Sequence, residues 1–229
     1  MLRSLKRWFR RPRGVNAPGL DIWVDWAERR GLTLRPVREQ VGLVIEGKGP
    51  QGPWRLEWGP SQRSYVKGFE LRFRAELSCG PELQLLVISR QLQEAMERAV
   101  YHQYVESVQT RMEESTPPEM RWLVMFPKLS GLELGRLKEN FAAVGNHKAW
   151  LMQWLQGPLE AALASPSLPL DQPMVLMIGR GRIVLRMPMD QPDEQRLDVW
   201  MRLFEIALRE ARRVVGDPEV AATAPQSLL

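Results

Sequence analysis

The sequence ELRFRAEL at residues 70–77 alternates between charged and apolar side chains without a break. Successive side chains of a β-strand point to opposite faces, so this order predicts a strand with one buried face and one solvated face. Residues 54–58 repeat the alternation, with Trp54, Leu56 and Trp58 on the apolar side. Strands of this kind are typical of antiparallel sheets, in which one face packs on the core and the other contacts water.

Other segments have the composition of further strands. They are predicted at residues 41–45, 83–88, 120–126, 174–178 and 182–187. The run at residues 120–126 is apolar almost throughout, which indicates a strand buried on both faces. Gly179-Arg180-Gly181 separates the last two segments and predicts a β-hairpin.

Apolar residues at helical spacing predict a second set of elements. The predicted helices lie at residues 20–30, from residue 89 or 90 to about 111, through Leu137, Phe141 and Val144, around residues 150–155, at 158–164 and at 194–214. Ser130 and Glu133 have the spacing of a capping box for the third of these helices. Gly145 is expected to end that helix, and Asn146 to cap the next one.

The last helix has an unusually broad apolar surface. One stripe consists of Leu197, Trp200, Met201, Phe204, Leu208 and Ala211. Val199, Leu203 and Ile206 widen it, so we predict that this second side contacts another helix or another subunit. Because a helix gains most of its stability by burying such a stripe, Phe204 is predicted to be deeply buried.

These elements predict an α+β fold, with a mainly antiparallel sheet packed against long amphipathic helices. Strands lead into a long helix twice, so two similar α/β halves are an open alternative. The polar segment EESTPPE at residues 113–119 is the clearest internal boundary. The predicted organisation is a basic leader at residues 1–14, α+β regions at 15–112 and 119–215, and a flexible tail at 216–229.

The leader holds most of the excess positive charge. Residues 1–14 contain six basic and no acidic side chains, whereas the whole chain has a net charge of +5, so the body is close to neutral. Leu2, Leu5, Trp8 and Phe9 would form one apolar stripe of a helix at the surface of an anionic membrane. The candidate interaction residues are Arg3, Lys6, Arg7, Trp8, Phe9, Arg10, Arg11 and Arg13.

Four interpretations of the leader remain open. It is a solvated tail, a contact to an anionic membrane or an acidic partner, a cleaved transit peptide, or an arm that binds nucleic acid. A nucleic-acid-binding domain usually spreads its basic residues over one face, and the neutral body argues against that role for the body. No stretch approaches 18 apolar residues, so no membrane-spanning helix is predicted.

The sequence lacks the residues that several kinds of catalytic site require. Residues 42–49 read GLVIEGKG and resemble a P-loop, but no serine or threonine follows the lysine, so we interpret them as a hairpin turn. Cys79 is the single cysteine, and His102 and His147 are the two histidines, which we expect in solvent. We predict no catalytic, cofactor-binding or metal-ligating residue, and no cofactor.

The remaining candidates have ordinary structural explanations. Glu70, Arg72, Arg74 and Glu76 are expected to form a solvated ladder on the outer face of the sheet. Arg182 and Arg186 are expected at the surface for the same reason. The tryptophan pairs 23/26, 54/58 and 150/154 indicate either core packing or an exposed aromatic interface.

Three classes of function remain. We favour a non-catalytic binding or assembly module, tethered through its leader to an anionic membrane surface or an acidic partner. Its expected partner is another protein or a second copy of the chain, in the cytoplasm or at the membrane periphery. The alternatives are an enzyme with an unlocated Asp/Glu/Arg site and a nucleic-acid-binding protein that uses the basic leader.

Overall fold

A computed structural model describes residues 19–37, 41–106 and 116–216 of the chain. The predicted leader at residues 1–14 and the tail beyond residue 216 lie outside the described residues, and so does the end of the predicted helix at residues 89–111. In the described part of the chain, no helix combines the length and the apolar character needed to cross a bilayer.

Eight strands form one antiparallel sheet, which confirms the predicted α+β class. The strands are β1 (Thr33–Pro36), β2 (Leu43–Gly49), β3 (Gly52–Pro60), β4 (Phe69–Glu76), β5 (Leu85–Ser89), β6 (Phe141–Gly145), β7 (Val175–Gly179) and β8 (Arg182–Pro188). Their order in the sheet is β1-β2-β3-β4-β8-β7-β5-β6. Strands from the predicted regions 15–112 and 119–215 therefore lie side by side in one sheet, while the division into those regions stays a prediction.

The described residues also form seven α-helices and one 3₁₀ turn. The helices are α1 (Leu20–Arg29), α2 (Arg90–Glu106), α3 (Pro118–Met125), α4 (Gly131–Leu134), α5 (Lys148–Leu155), α6 (Pro158–Leu163) and α7 (Glu194–Val215), and the turn is Gly135–Leu137. The long C-terminal helix has nearly the bounds that its apolar stripes predict. Asp193 caps it by accepting a hydrogen bond from the Arg196 amide at 2.8 Å.

The strand alternation buries the residues that the sequence assigns to the apolar face. Leu56, Leu71 and Phe73 are completely buried, in one cluster with residues of α1, α5, α6 and α7. The rings of Phe73 and Phe204 stack with centroids 5.3 Å apart, so α7 lies directly against the sheet. All three tryptophan pairs are buried, which confirms core packing and excludes an exposed aromatic interface at these pairs.

A second, smaller core lies on the opposite face of the sheet. Leu86 and Ile88 of β5 pack there with Met120 and Leu123 of α3, and α2 contributes Met96. Because Leu85 and Val87 belong to the first core, β5 is buried on both faces. This double burial explains why its sequence is apolar throughout instead of alternating.

The predicted strand at residues 120–126 is wrong, because this segment is helix α3. Pro118 occupies the first turn of the helix, where its fixed φ angle is helical. Its missing amide hydrogen costs no hydrogen bond there, because first-turn amides have no acceptor within the helix. Trp122 and Leu123 face the second core, whereas Val124 and Met125 are exposed. A short apolar run does not distinguish a strand from a helix by periodicity alone.

The predicted helix through Leu137, Phe141 and Val144 is also wrong. The capping box of Ser130 and Glu133 forms as expected, but it starts only α4 and the 3₁₀ turn. Gly135 then has a φ angle of 54°, which interrupts the helix. Residues 141–145 instead form β6, because they pair with β5 along its full length.

The expectations for Asn146 and His147 are both wrong. His147, and not Asn146, caps α5, since its Nδ1 accepts a hydrogen bond from the Trp150 amide at 3.2 Å. The His147 side chain is buried rather than solvated. Asn146 accepts a hydrogen bond from the Gln84 amide at 2.9 Å and thereby holds a neighbouring loop.

The β7–β8 turn has the predicted position, whereas the β2–β3 turn lies later than predicted. Residues 43–49 are strand β2 itself, and the tight hairpin turn follows at residues 50 and 51, where Gly49 pairs with Gly52. Residues 42–49 therefore form no phosphate-binding loop. The β7–β8 hairpin turns at Arg180 and Gly181, whose φ angles are 54° and 69°. Positive φ at both central residues is the geometry of a type I′ turn.

Candidate functional site

A groove lies along α7, between the tip of the β2–β3 hairpin and helix α6. We call it the α7 groove; its volume is about 970 Å³. Apolar lining residues include Leu32, Trp54, Ala162, Val199, Leu203 and Ile206. Charged lining residues are Arg30, Lys48, Asp198, Arg202 and Glu205.

The groove follows from the broad apolar surface of α7. Phe204 and Leu208 point into the core, and Trp154 donates a hydrogen bond from its indole nitrogen to the Ala207 carbonyl at 2.9 Å. Leu203, on the second side, is buried, whereas Val199 and Ile206 are only half-buried. Helix α6 packs against α7, and its Ala161 and Ala162 line the groove together with the second side of α7. That contact leaves part of the second side uncovered.

Asp198 is neutralised at one end of the groove. It accepts a hydrogen bond from the indole nitrogen of Trp26 at 2.8 Å and forms an ion pair with Arg30. The Arg30 guanidinium also lies over the Trp26 ring, 4.6 Å from its centroid. The charges of Asp198 and Arg30 therefore cancel, and the pair adds little net charge to the groove.

The other charged groups of the groove are unpaired within the described residues. Neither Lys48 nor Arg202 has a carboxylate within 4.0 Å in this part of the chain, and Glu205 has no cation at that distance. Partial burial raises the pKa of Glu205, and the charge of Arg202 opposes that rise. Two free cations therefore face one free carboxylate.

A buried group of charged side chains lies on the opposite face of the sheet. We call Arg63, Tyr65, Glu70, Glu119 and Arg186 the ionic cluster. Glu119 is fully buried, while Arg186 and Glu70 are 4% and 5% exposed. Arg63 donates to Glu119 at 2.8 Å, and Tyr65 donates to the same carboxylate oxygen.

The cluster connects three parts of the fold. Arg186 on β8 lies 3.5 Å from Glu70 on β4 and 3.9 Å from Glu119 on α3. Ser61, at the start of the β3–β4 loop, donates to Glu70 at 3.0 Å. The loop at residues 61–68 and helix α3 are thereby fixed to the polar face of the sheet.

The ionisation of the cluster follows from these contacts. Burial raises the pKa of Glu119, but hydrogen bonds from Tyr65 and Arg63 outweigh it, so the pKa lies below its ordinary value. Burial and the neighbouring Glu119 charge raise the pKa of Tyr65, which therefore stays protonated and donates. The cluster holds an ionised carboxylate between two guanidinium groups.

The expected surface positions of Glu70 and Arg186 are wrong. The β3–β4 loop and α3 cover this end of the polar face, which the alternation of β4 and β8 does not reveal. At the other end of the same strands, Arg182 and Glu76 remain exposed and pair at 2.9 Å, as predicted. Burial thus differs along a single face.

The surroundings of Glu119 and Cys79 do not favour acid–base or nucleophilic catalysis. A general base must reach the substrate, and Glu119 has no exposed surface. Burial raises the pKa of the Cys79 thiol, which lowers the fraction of reactive thiolate. Among the described residues, no group of three or more His, Cys, Asp or Glu side chains is arranged to hold a metal ion.

Comparison of the chain with known protein families, curated proteins and solved structures found no match. The eight predicted interaction residues of the leader lie outside the described residues. The α7 groove is therefore the candidate site that geometry and charge define within the described chain. The breadth of the apolar surface on α7 was its sequence signal, whereas no signal pointed to the ionic cluster.

Proposed function

We propose that this protein is a non-catalytic binding module that takes up an apolar segment of a partner protein in the α7 groove. The observation that carries the proposal is the half-buried side of α7, where Val199 and Ile206 line an open groove. Apolar side chains from a partner would remove this surface from water, which is the main favourable contribution to most protein association. The closed ionic cluster gives no comparable support to an enzymatic function.

The small side chains of α6 make the groove wide enough for such a segment. Ala161 and Ala162 line it on the α6 side, so only methyl groups project from that stretch of the helix. Ala161 is exposed, and a larger side chain there would fill the groove without removing a core contact. Ala161→Trp is therefore a variant that blocks the groove and leaves the core in place.

The proposal is tested by selecting binders from a random library of 16-residue peptides on the immobilised protein. We expect enriched peptides with regularly spaced apolar residues, and we expect Ala161→Trp to weaken their binding at least ten-fold in fluorescence anisotropy. Leu132→Glu is the control, because Leu132 is 96% exposed and is not among the groove residues. No enrichment, or equal binding by Ala161→Trp, would contradict the function.

We further propose that the leader tethers the module to an anionic membrane surface. The support is its sequence, which has six cations and apolar residues at helical spacing within residues 1–14. Binding of the intact chain to vesicles of anionic lipid should weaken with salt and largely disappear when residues 1–14 are deleted. Equal vesicle binding by the truncated chain would contradict this role, and the groove proposal would be unaffected.

A further inference from the structure

We infer that the segment bound in the α7 groove carries acidic residues beside its apolar anchors. This inference rests on the proposed function and names the chemistry of the partner. It follows from the charges that remain at the groove after the internal ion pairs are assigned. The occupant is an acidic, amphipathic peptide segment of another protein.

The unpaired cations stand on two walls of the groove. Lys48 lies near the tip of β2 and is exposed, and Arg202 projects from α7. In the described chain neither has a carboxylate within 4.0 Å. A segment lying between these walls would place its flanking side chains near both cations.

A third cation extends this positive surface beyond the groove. Arg212, further along α7, lies against the β2–β3 turn, with its guanidinium 3.1 Å from where a Cβ on Gly52 would lie. It donates a hydrogen bond to the Glu76 carbonyl at 3.1 Å and is not paired with a carboxylate in the described residues. Two cations therefore line the groove, and a third lies beside it at the β2–β3 turn.

Glu205 is the single opposing charge without an ion pair among the groove residues. Its carboxylate lies close to the hairpin, with Oε1 3.9 Å from where a Cβ on Gly49 would lie. Partial burial raises the pKa of Glu205, so its charge is less favourable there than in water. Removing this charge should strengthen binding of an acidic segment.

The length of the groove limits the number of anchors. From Asp198 to Ile206 the groove follows α7 for about 12 Å, at about 1.5 Å per residue. A helical segment of two turns or an extended segment of about four residues covers this distance. Two or three apolar anchors therefore fit, and acidic residues next to them lie within reach of Lys48 and Arg202.

The test uses three versions of one peptide from the library selection. The apolar anchors stay constant, and the flanking positions carry Glu, Gln or Lys. At low salt we expect the Glu peptide to bind about three- to ten-fold more tightly than the Gln peptide, on the scale of a few exposed ion pairs. The Lys peptide should bind most weakly, and the differences should shrink at high salt.

Variants locate the preference on the protein. Lys48→Gln combined with Arg202→Gln should reduce the preference for the Glu peptide to less than about two-fold, because only Arg212 remains, and Glu205→Gln should increase affinity for it about two-fold. The matched control combines Lys67→Gln with Arg98→Gln, because both cations are exposed and neither lines the groove. The control should keep the full preference.

The outcomes separate this inference from the proposed function. Equal affinity of the three peptides, or preference for the Lys peptide, overturns the acidic partner and leaves a binding groove. Failure of the library selection overturns the function itself. Self-association that Ala161→Trp abolishes, in a protein that binds no peptide, would make a second copy the occupant and would overturn the inference.

Discussion

The two faces of the sheet differ in how charge and burial are combined. On one face, apolar residues of β2, β3, β4 and β8 are buried under α1, α5, α6 and α7. On the other face, the same strands carry arginines and glutamates, of which some are exposed and some are buried. Alternation assigns a side chain to a face, but the covering elements decide whether that face contacts water.

The largest expected effect is on the apolar face. Phe204→Ala should lower the free energy of unfolding by about 3–5 kcal/mol, because the ring is fully buried and stacks on Phe73. Urea denaturation measures this loss. A loss below about 1 kcal/mol would show that the contact between α7 and the sheet is much weaker than its geometry indicates.

On the polar face, the largest effect is expected where the charges are buried. Glu119→Gln should lower the free energy of unfolding by about 2–3 kcal/mol, because it leaves Arg63 without its carboxylate and leaves Arg186 with Glu70 alone. Glu139→Gln is the matched control, since the Glu139 side chain is 77% exposed. An equal effect of the two substitutions in urea denaturation would contradict a stabilising role of the cluster.

The same carboxylate should make stability depend on pH. The pKa of folded Glu119 lies below its ordinary value of 4.5, so its contribution is present above that value. It is lost as the pH falls below 4.5 through the folded pKa. Unfolding measured from pH 7 to pH 3 should therefore show a steeper loss for the wild type than for Glu119→Gln, and parallel curves would contradict the assignment.

A small effect is expected at the exposed end of the polar face. Glu76→Gln breaks the ion pair with Arg182. The Glu76 side chain is 71% exposed and the Arg182 side chain is 51% exposed. Exposed pairs contribute about 0–1 kcal/mol, so urea denaturation should detect a change below about 1 kcal/mol. A loss as large as that of Glu119→Gln would remove the distinction between the two ends of this face.

Much of the fold was predictable because local patterns and long-range packing agree. The alternation at residues 54–58 and 70–77, the β7–β8 turn and the stripes of α7 all have the predicted structure. The broad surface of α7 also indicated that a second contact was needed. It did not indicate where α6 would stop covering that surface, since this depends on the approach of distant elements.

The errors occur where distant elements decide the local structure. Residues 141–145 become a strand because β5 offers a complete antiparallel partner more than fifty residues earlier. Residues 120–125 become a helix that covers the second core, which their apolar composition alone does not specify. The ionic cluster combines side chains from a loop, two strands and α3, so no spacing along the chain reveals it.

We expect the partner segment to bind in the groove beside α7 and not on the polar face. Amide chemical shifts of the ¹⁵N-labelled protein, followed while a library-selected peptide is added, test it most directly. We predict that the shifts that change belong to residues 198–206, to Ala161 and Ala162, and to Gly49 in the hairpin. Changes centred on Arg72, Arg74 and the ionic cluster, with the α7 amides unaffected, would contradict the claim.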